Sequence, residues 1–172
     1  TASIEFWQIR PILDSVSERV DVDSVLIDLG LPGGLHGTAR DTQVGLSVYF
    51  RIQRDIARAL DDLTLHLSAR KLTYQTGHFV LEQMKQALTL QDAVRCLCDY
   101  FNMMHGGTYN SIRQRDDHLA LVVDDSTFPY TLKEDGVFTH FVGDCVLIKV
   151  HCLLDSLSHG LAGRALKGVT LQ

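Results

Sequence analysis

The amino-acid sequence predicts an α+β fold: a helix-rich domain with a small antiparallel sheet packed on the helices. Apolar residues recur at helical spacing over most of the 172 residues. Apolar and polar residues alternate mainly after Gly106-Gly107, and again at the terminus. Helices first, a hairpin late and a long helix before a terminal strand are typical of α+β domains. The strands are too few for a sandwich and too little interleaved with helices for a doubly wound sheet.

Two amphipathic helices are predicted near the N-terminus. Ile4–Arg19 carries apolar residues at helical spacing, with Pro11 near its start or at a bend. Asp21, Asp23 and Ser24 offer N-caps for a second helix through Leu29, which Gly30 ends.

A loop and a third helix follow. Leu31–Thr42 holds three glycines in no phosphate-binding motif and is predicted to be a loop. Gln43–Ala59 is predicted to be a helix because Val44, Val48 and the apolar residues beyond them fall at four-residue intervals. Asp61-Asp62 is expected to open a short helical turn, and Ser68–Gly77 to be a polar connection.

The stretch Tyr74–Asp125 is predicted to form two helices and a hairpin that share an apolar face. Phe79–Leu88 has helical spacing, and Thr89 is a good N-cap for the helix that Gly106-Gly107 ends. Asp116-Asp117 marks the hairpin turn. The residues expected to face inward are Phe79, Val80, Met84, Ala87, Leu88, Ala93, Leu97, Tyr100, Phe101, Met104, Leu119, Leu121 and Val123.

The last predicted elements are a long helix over Phe138–Ser158 and a strand opening within Lys167–Gln172. Gly160–Gly163 is expected to end the helix. The helix carries more apolar residues than one stripe needs, including Leu147, Ile148, Cys152 and Leu154. We therefore expect it to be buried on two sides within the domain, in preference to being shared with a partner.

Composition limits the classes of function. The formal net charge is -5, and no segment concentrates Lys and Arg, so direct contact with DNA is not expected of this chain. The four cysteines, Cys96, Cys98, Cys145 and Cys152, lie in apolar helical runs and are predicted to be buried free thiols of a reducing compartment. With no signal peptide or membrane span evident, the expected location is the cytoplasm.

The sequence predicts no catalytic, metal or cofactor site. There is no GxSxG elbow, and the thiols of Cys96 and Cys98 diverge by about 200° on a helix. Eight histidines invite a haem hypothesis, with His105 or His140 as an axial ligand, but no other feature supports it. A stand-alone haem or small-ligand sensor that acts through a protein partner is the alternative function.

A small-molecule pocket between helices and sheet is more plausible, because such spaces combine apolar walls with a few polar groups. The candidate ligand-binding residues are Tyr74, His78, Tyr100, Tyr109 and Arg113. Tyr100 needs a partner for its hydroxyl group on an otherwise apolar face, and Arg113 could meet an anionic effector. Both residues could instead have purely structural roles, with Tyr100 at the rim of the core and Arg113 in an ion pair on the surface.

The order of elements resembles a known family. Its pattern in this sequence is Gly77, Ala87-Leu88, Thr89-Leu90, Ala93 and Tyr100, then a polar gap and the strand residues Leu119, Leu121 and Val123. This is similar to the N-terminal domain of AraC/XylS-type transcriptional regulators of the branch with the so-called arabinose-binding-type domain. The resemblance covers nearly the whole chain, but no single motif in it is diagnostic of the family. Asp61–Leu65 departs from the family, which has Pro and Gly there.

The resemblance implies a function. Residues 1–172 would be one N-terminal domain that binds a small-molecule effector, forms a homodimer, or does both, and it would not be an enzyme. DNA would be bound through a C-terminal helix-turn-helix domain that is absent from this chain. No membrane partner is implied.

Overall fold

The computed structural model describes residues 2–132 and 136–170, with the backbone alone over 136–140. It is 53% helical with 11% strand, which confirms the predicted α+β class. Contacts divide the chain into two compact units. The first unit comprises Thr1–Gly77 and Pro129–Lys133, and the second comprises His78–Phe128 and Glu134–Gln172. Whether they act as one sensing domain stays a prediction.

Helices dominate the first unit. In chain order its elements are β1 (Ser3–Glu5), α1 (Phe6–Val16), α2 (Val22–Asp28), α3 (Gly34–Gly37), β2 (Gln43–Gly45) and α4 (Leu46–Leu60). The predicted inward face of α1 is confirmed, since its apolar residues Phe6, Ile9, Ile12, Leu13 and Val16 are all buried.

The N-terminal strand pair corrects two predicted helix boundaries. β1 and β2 are antiparallel, with Ile4 opposite Val44, so neither Ile4–Arg19 nor Gln43–Ala59 is helical over its whole length. Three-residue strands are too short to show a period of two, and Val44 happens to stand four residues before Val48. Val44 is nevertheless buried, as the helical interpretation required.

The predicted loop 31–42 contains a short helix. Leu35 is buried on α3, and its N–H donates to the Oδ1 atom of Asp23 at 2.7 Å. The predicted start and end of α2 are confirmed, because the Asp21 carboxylate accepts from the Ser24 N–H at 3.0 Å and Gly30 has φ +90°.

The second unit contains the predicted hairpin. Its elements are the end of α5 (Tyr74–Met84), then α6 (Leu90–His105), β3 (Asn110–Gln114), β4 (Leu119–Val123), α7 (Gly136–Leu157) and α8 (Leu161–Ala165). β3 and β4 are antiparallel, with Ile112 opposite Leu121. Thr89 caps α6 as predicted, since its hydroxyl oxygen accepts from the Asp92 N–H at 3.1 Å.

The core of the second unit joins the helices to one face of the hairpin. Its buried residues are Val80, Met84, Ala93, Val94, Leu97, Cys98, Leu154 and Ala162, with Ile112, Leu119 and Leu121 packed against them. The prediction that Phe79 and Leu88 face inward is wrong, because 47% of Phe79 and 96% of Leu88 is exposed. α5 ends at Met84, so Leu88 lies beyond the helix whose spacing would have turned it inward.

The C-terminal region departs from the predictions in two places. Val142, Cys145 and Leu154 of α7 are buried, but Ile148 and Cys152 are exposed, so the expected burial of the helix on two sides is wrong for them. The predicted terminal strand is also wrong over residues 167–170, which form no regular structure; the last two residues lie outside the described ranges. Within those ranges, we find no helix with both the length and the hydropathy to cross a bilayer.

The four cysteines differ in exposure, so they are expected to differ in reactivity. Burial raises the pKa of the Cys98 thiol to about 11, so very little of it is the reactive thiolate near neutral pH. Cys152 is exposed. A thiol reagent is therefore expected to label Cys152 fast in the native protein, and Cys152→Ser should remove the fast phase.

Cys98→Ser is the matched control, and it should leave the fast phase unchanged. Labelling kinetics with mass spectrometry give the site directly. A fast phase that persists in Cys152→Ser would show that the described exposures are wrong.

Candidate ligand-binding cleft

The five sequence-predicted ligand residues are divided between the two units. Tyr74 belongs to the first unit, and His78, Tyr100, Tyr109 and Arg113 belong to the second. His78 and Arg113 are exposed, and the three tyrosines are half-buried. Each tyrosine contacts a different set of neighbours.

Tyr74 and Tyr100 have partners that account for their positions. The Arg58 guanidinium lies over the Tyr74 ring, 5.8 Å from its centroid. The Tyr100 hydroxyl donates to Gln83 Oε1 at 3.4 Å, and its ring meets Phe79 edge-on at 5.2 Å. The polar partner expected for the Tyr100 hydroxyl is therefore present at the rim of the core.

Tyr109 belongs to an aromatic cluster. Its ring centroid lies 4.9 Å from that of Phe128 and 6.4 Å from that of His105, both in edge-to-face geometry. The ring also packs so closely on Gly107 that a Cβ atom there would overlap it. These are the contacts of a packing residue, and a ligand-binding role for the five residues stays a prediction.

The first unit contains an open cleft that the sequence did not indicate. Its volume is about 480 Å³, within the range of about 300–1,000 Å³ typical of small-molecule sites. The walls come from the turn after α1, the end of α4, the segment that follows α4, and residue 131. The polar lining residues are Arg19, Asp62, His66, Ser68, Lys71 and Thr131.

Asp62 organises the segment after α4. Its side chain is only 4% exposed, and its carboxylate accepts four hydrogen bonds. The donors are the Thr64 N–H at 2.9 Å, the Thr64 hydroxyl at 2.8 Å, the His66 N–H at 3.2 Å and the Leu72 N–H at 3.4 Å. Asp62 therefore satisfies backbone groups that no helix or sheet serves.

The same segment has an unusual backbone. Leu65 and His66 have φ values of 54° and 60°, in the left-handed region that non-glycine residues rarely adopt. Such a conformation costs about 1–3 kcal/mol per residue and persists only where the surroundings impose it. Here Asp62 accepts from the backbone of His66, and the Leu65 side chain is buried.

Residues 129–131 complete this wall of the cleft. The Thr131 N–H donates to the Leu67 carbonyl at 3.0 Å, and the Thr131 hydroxyl donates to the His66 carbonyl. The Ala69 N–H donates to the Pro129 carbonyl at 2.9 Å. A segment more than 50 positions further along the chain is thus held against the strained turn.

Two cationic side chains line the cleft. The Arg19 Nη1 atom lies 3.1 Å from His66 Nδ1, and the Lys71 Nζ atom donates to the Leu60 carbonyl at 3.3 Å. Neither cation lies within 4.0 Å of a carboxylate oxygen of any described residue. With the Asp62 carboxylate counted, the described lining carries a formal charge of +1, although the whole chain carries a net charge of -5.

Sequence reasoning had one usable signal for this site. Asp side chains commonly accept from the backbone N–H two residues further on, as Asp62 does from Thr64, so the sequence allowed an ordered turn here. The prediction that Ser68–Gly77 is a polar connection is wrong in part. Ser68 and Leu72 are in fact buried, and α5 already begins at Tyr74. No local pattern places Arg19 beside His66, because they are 47 positions apart.

The chemistry of the cleft cannot be assigned from related proteins or from a metal site in the described residues. Comparisons of the chain with models of protein families, with curated proteins and with solved structures gave no match. Within the described ranges, the His, Cys, Asp and Glu side chains form no group of three or more that could hold a metal ion. The chemistry has to be inferred from the side chains of the cleft.

Proposed function

We propose that this chain is the sensory part of an AraC-type transcriptional regulator. It would bind a small-molecule effector and self-associate in the cytoplasm, and in the full-length protein it would control DNA binding by a C-terminal domain. The observation that carries the proposal is the cleft of the first unit, which has the volume of a small-molecule site. The element order and the net charge of -5 also support it.

The construction of the cleft suits a sensor. Its walls come from parts of the chain that are distant in sequence, around Arg19, His66 and Thr131. A ligand that contacts all three would favour the conformation in which they are close. Differential affinity for one conformation is what an effector needs in order to shift an equilibrium.

The proposal is tested with the full-length product of the native gene. We expect the coding sequence after Gln172 to encode a pair of helix-turn-helix motifs. A thermal-shift screen of organic acids, amino acids and sugars should find a compound that raises Tm, because a ligand bound only by the folded state stabilises it. That compound should change the affinity of the full-length protein for its promoter DNA by about 5–150-fold.

A reading frame that ended at Gln172 would contradict the proposal, as would a compound that binds without altering DNA affinity. Self-association is measured separately by sedimentation equilibrium. We expect a dimer mass, and a monomer at all concentrations tested would remove self-association from the proposed function.

A further inference from the structure

We propose that the cleft of the first unit binds a small organic anion, whose carboxylate or phosphate group is held between Arg19 and Lys71. The inference rests on the proposed sensory function for its biological meaning. It also names a class of effector, which the sequence resemblance does not.

The charges around the cleft favour an anion. Arg19 and Lys71 both line it, and neither forms an ion pair with a described carboxylate. The acidic residue in the lining, Asp62, is nearly inaccessible, and its carboxylate already accepts four hydrogen bonds from the protein. Asp62 is therefore poorly placed to bind a cationic ligand.

The hydrogen-bond donors are in excess of their protein acceptors. A guanidinium has five N–H groups and an ammonium has three. One contact of Arg19 goes to the His66 ring and one contact of Lys71 goes to the Leu60 carbonyl. The donors beyond these contacts suit an oxyanion, because a charged group accepts stronger hydrogen bonds than a neutral one.

The apolar part of the lining favours an organic ligand over a bare ion. Ala59, Leu60 and Ala69 line the same cleft as the two cations. A volume of about 480 Å³ is larger than one inorganic phosphate needs, so a carbon skeleton can lie on these side chains while its anionic group meets the cations.

The strained turn fits a binding role. Leu65 and His66 are held in the left-handed region, where a loop of ordinary conformation would cost less free energy, and His66 lines the cleft with Arg19 and Lys71. In this turn the His66 Nδ1 atom lies 3.1 Å from the Arg19 Nη1 atom. This contact restricts the guanidinium before a ligand arrives, and such restriction lowers the entropy cost of binding.

The test is a calorimetric titration of the whole chain at constant ionic strength. The probes are succinate and benzoate as carboxylates, glycerol phosphate and inorganic phosphate as phosphates, and succinamide and a sugar panel as neutral molecules. We expect at least one organic anion to bind. In a separate thermal unfolding measurement, this anion at ten times Kd should raise the Tm of the protein by about 3–5 °C. Comparison of Kd between the carboxylate and the phosphate probes shows which anionic group the cleft prefers.

Four variants with the same change of net charge locate the site. Arg19→Gln and Lys71→Gln are each expected to raise Kd of the bound anion about tenfold or more, because each removes a charged hydrogen-bond donor. Arg113→Gln tests the competing site that the sequence predicts in the second unit, and Kd should be unchanged. Arg115→Gln removes an exposed arginine outside both candidate sites and is the matched control, again with unchanged Kd. All four residues are exposed, so the unliganded variants are expected to keep their Tm.

The outcomes separate this inference from the proposed function. If Arg113→Gln weakens binding of the anion and the cleft variants do not, the inference is overturned. The sequence-predicted site in the second unit is then favoured. If neutral molecules bind and anions do not, the inference is overturned while the sensory function survives. If none of these probes binds, the inference is overturned, and the sensory function is decided by the wider thermal-shift screen and the DNA-affinity measurement.

Discussion

Replacing Asp62 with alanine is expected to lower the free energy of unfolding of the first unit by about 3–5 kcal/mol, because several backbone N–H groups lose their acceptor at once. Asp62 accepts from the N–H groups of Thr64, His66 and Leu72, and it is 4% exposed, so water cannot easily replace it. The loss also releases the turn that holds Leu65 and His66 in the left-handed region. Urea unfolding followed by circular dichroism measures the change.

Two variants make the result specific. Asp62→Asn keeps one acceptor oxygen and should recover part of the loss, whereas Asp41→Ala removes an exposed aspartate and should change the free energy of unfolding by less than about 0.5 kcal/mol. If Asp62→Ala were as stable as Asp41→Ala, the hydrogen bonds described for Asp62 would not exist in solution. The cleft would then lose the wall on which the anion proposal depends.

Leu97→Ala and Leu88→Ala are expected to differ sharply, although both leucines belong to the same predicted apolar face. Leu97 is 2% exposed in the core of the second unit, and truncation should cost about 2–5 kcal/mol because it leaves a cavity. Leu88 is 96% exposed, and truncation should cost less than about 0.5 kcal/mol. Urea midpoints of the two variants, compared at equal m-value, provide the measurement.

The pair is its own control because the chemical change is identical. A large cost for Leu88→Ala would show that Leu88 is buried in solution, either in this chain or against a second copy. Repeating the measurement at two protein concentrations distinguishes these cases, since only burial between copies makes the midpoint depend on concentration.

Elements with a long repeated pattern could be predicted from the sequence. The inward residues of α1 and the Thr89 cap of α6 were found because periodicity and capping are local. The paired strands β1 and β2 were not found, since each has three residues and is defined by a partner about 40 positions away. Leu88 was misassigned because its spacing continued beyond Met84, where α5 ends.

The candidate site was harder to predict than the fold. Tyr100 is a candidate because its hydroxyl needs a partner on an otherwise apolar face, yet the same property suits the rim of a core. The contacts of Tyr100 and Tyr109 are those of packing residues. Arg19 and Lys71 lie 52 positions apart, and only the folded chain brings them to one cleft. Composition showed a net negative chain and gave no sign of a local positive region.

The route of the chain through the two units affects how the protein can be dissected. After the hairpin of the second unit, residues 129–131 return to the first unit and bond to Leu67 and Ala69, and the chain then continues to α7 of the second unit. A fragment that ends at Gly77 would therefore lack Thr131 and leave the carbonyl and N–H groups of Leu67 and Ala69 without these partners. The first unit is discontinuous in sequence, so an expression clone of it needs residues 129–131 supplied through a short linker after Gly77.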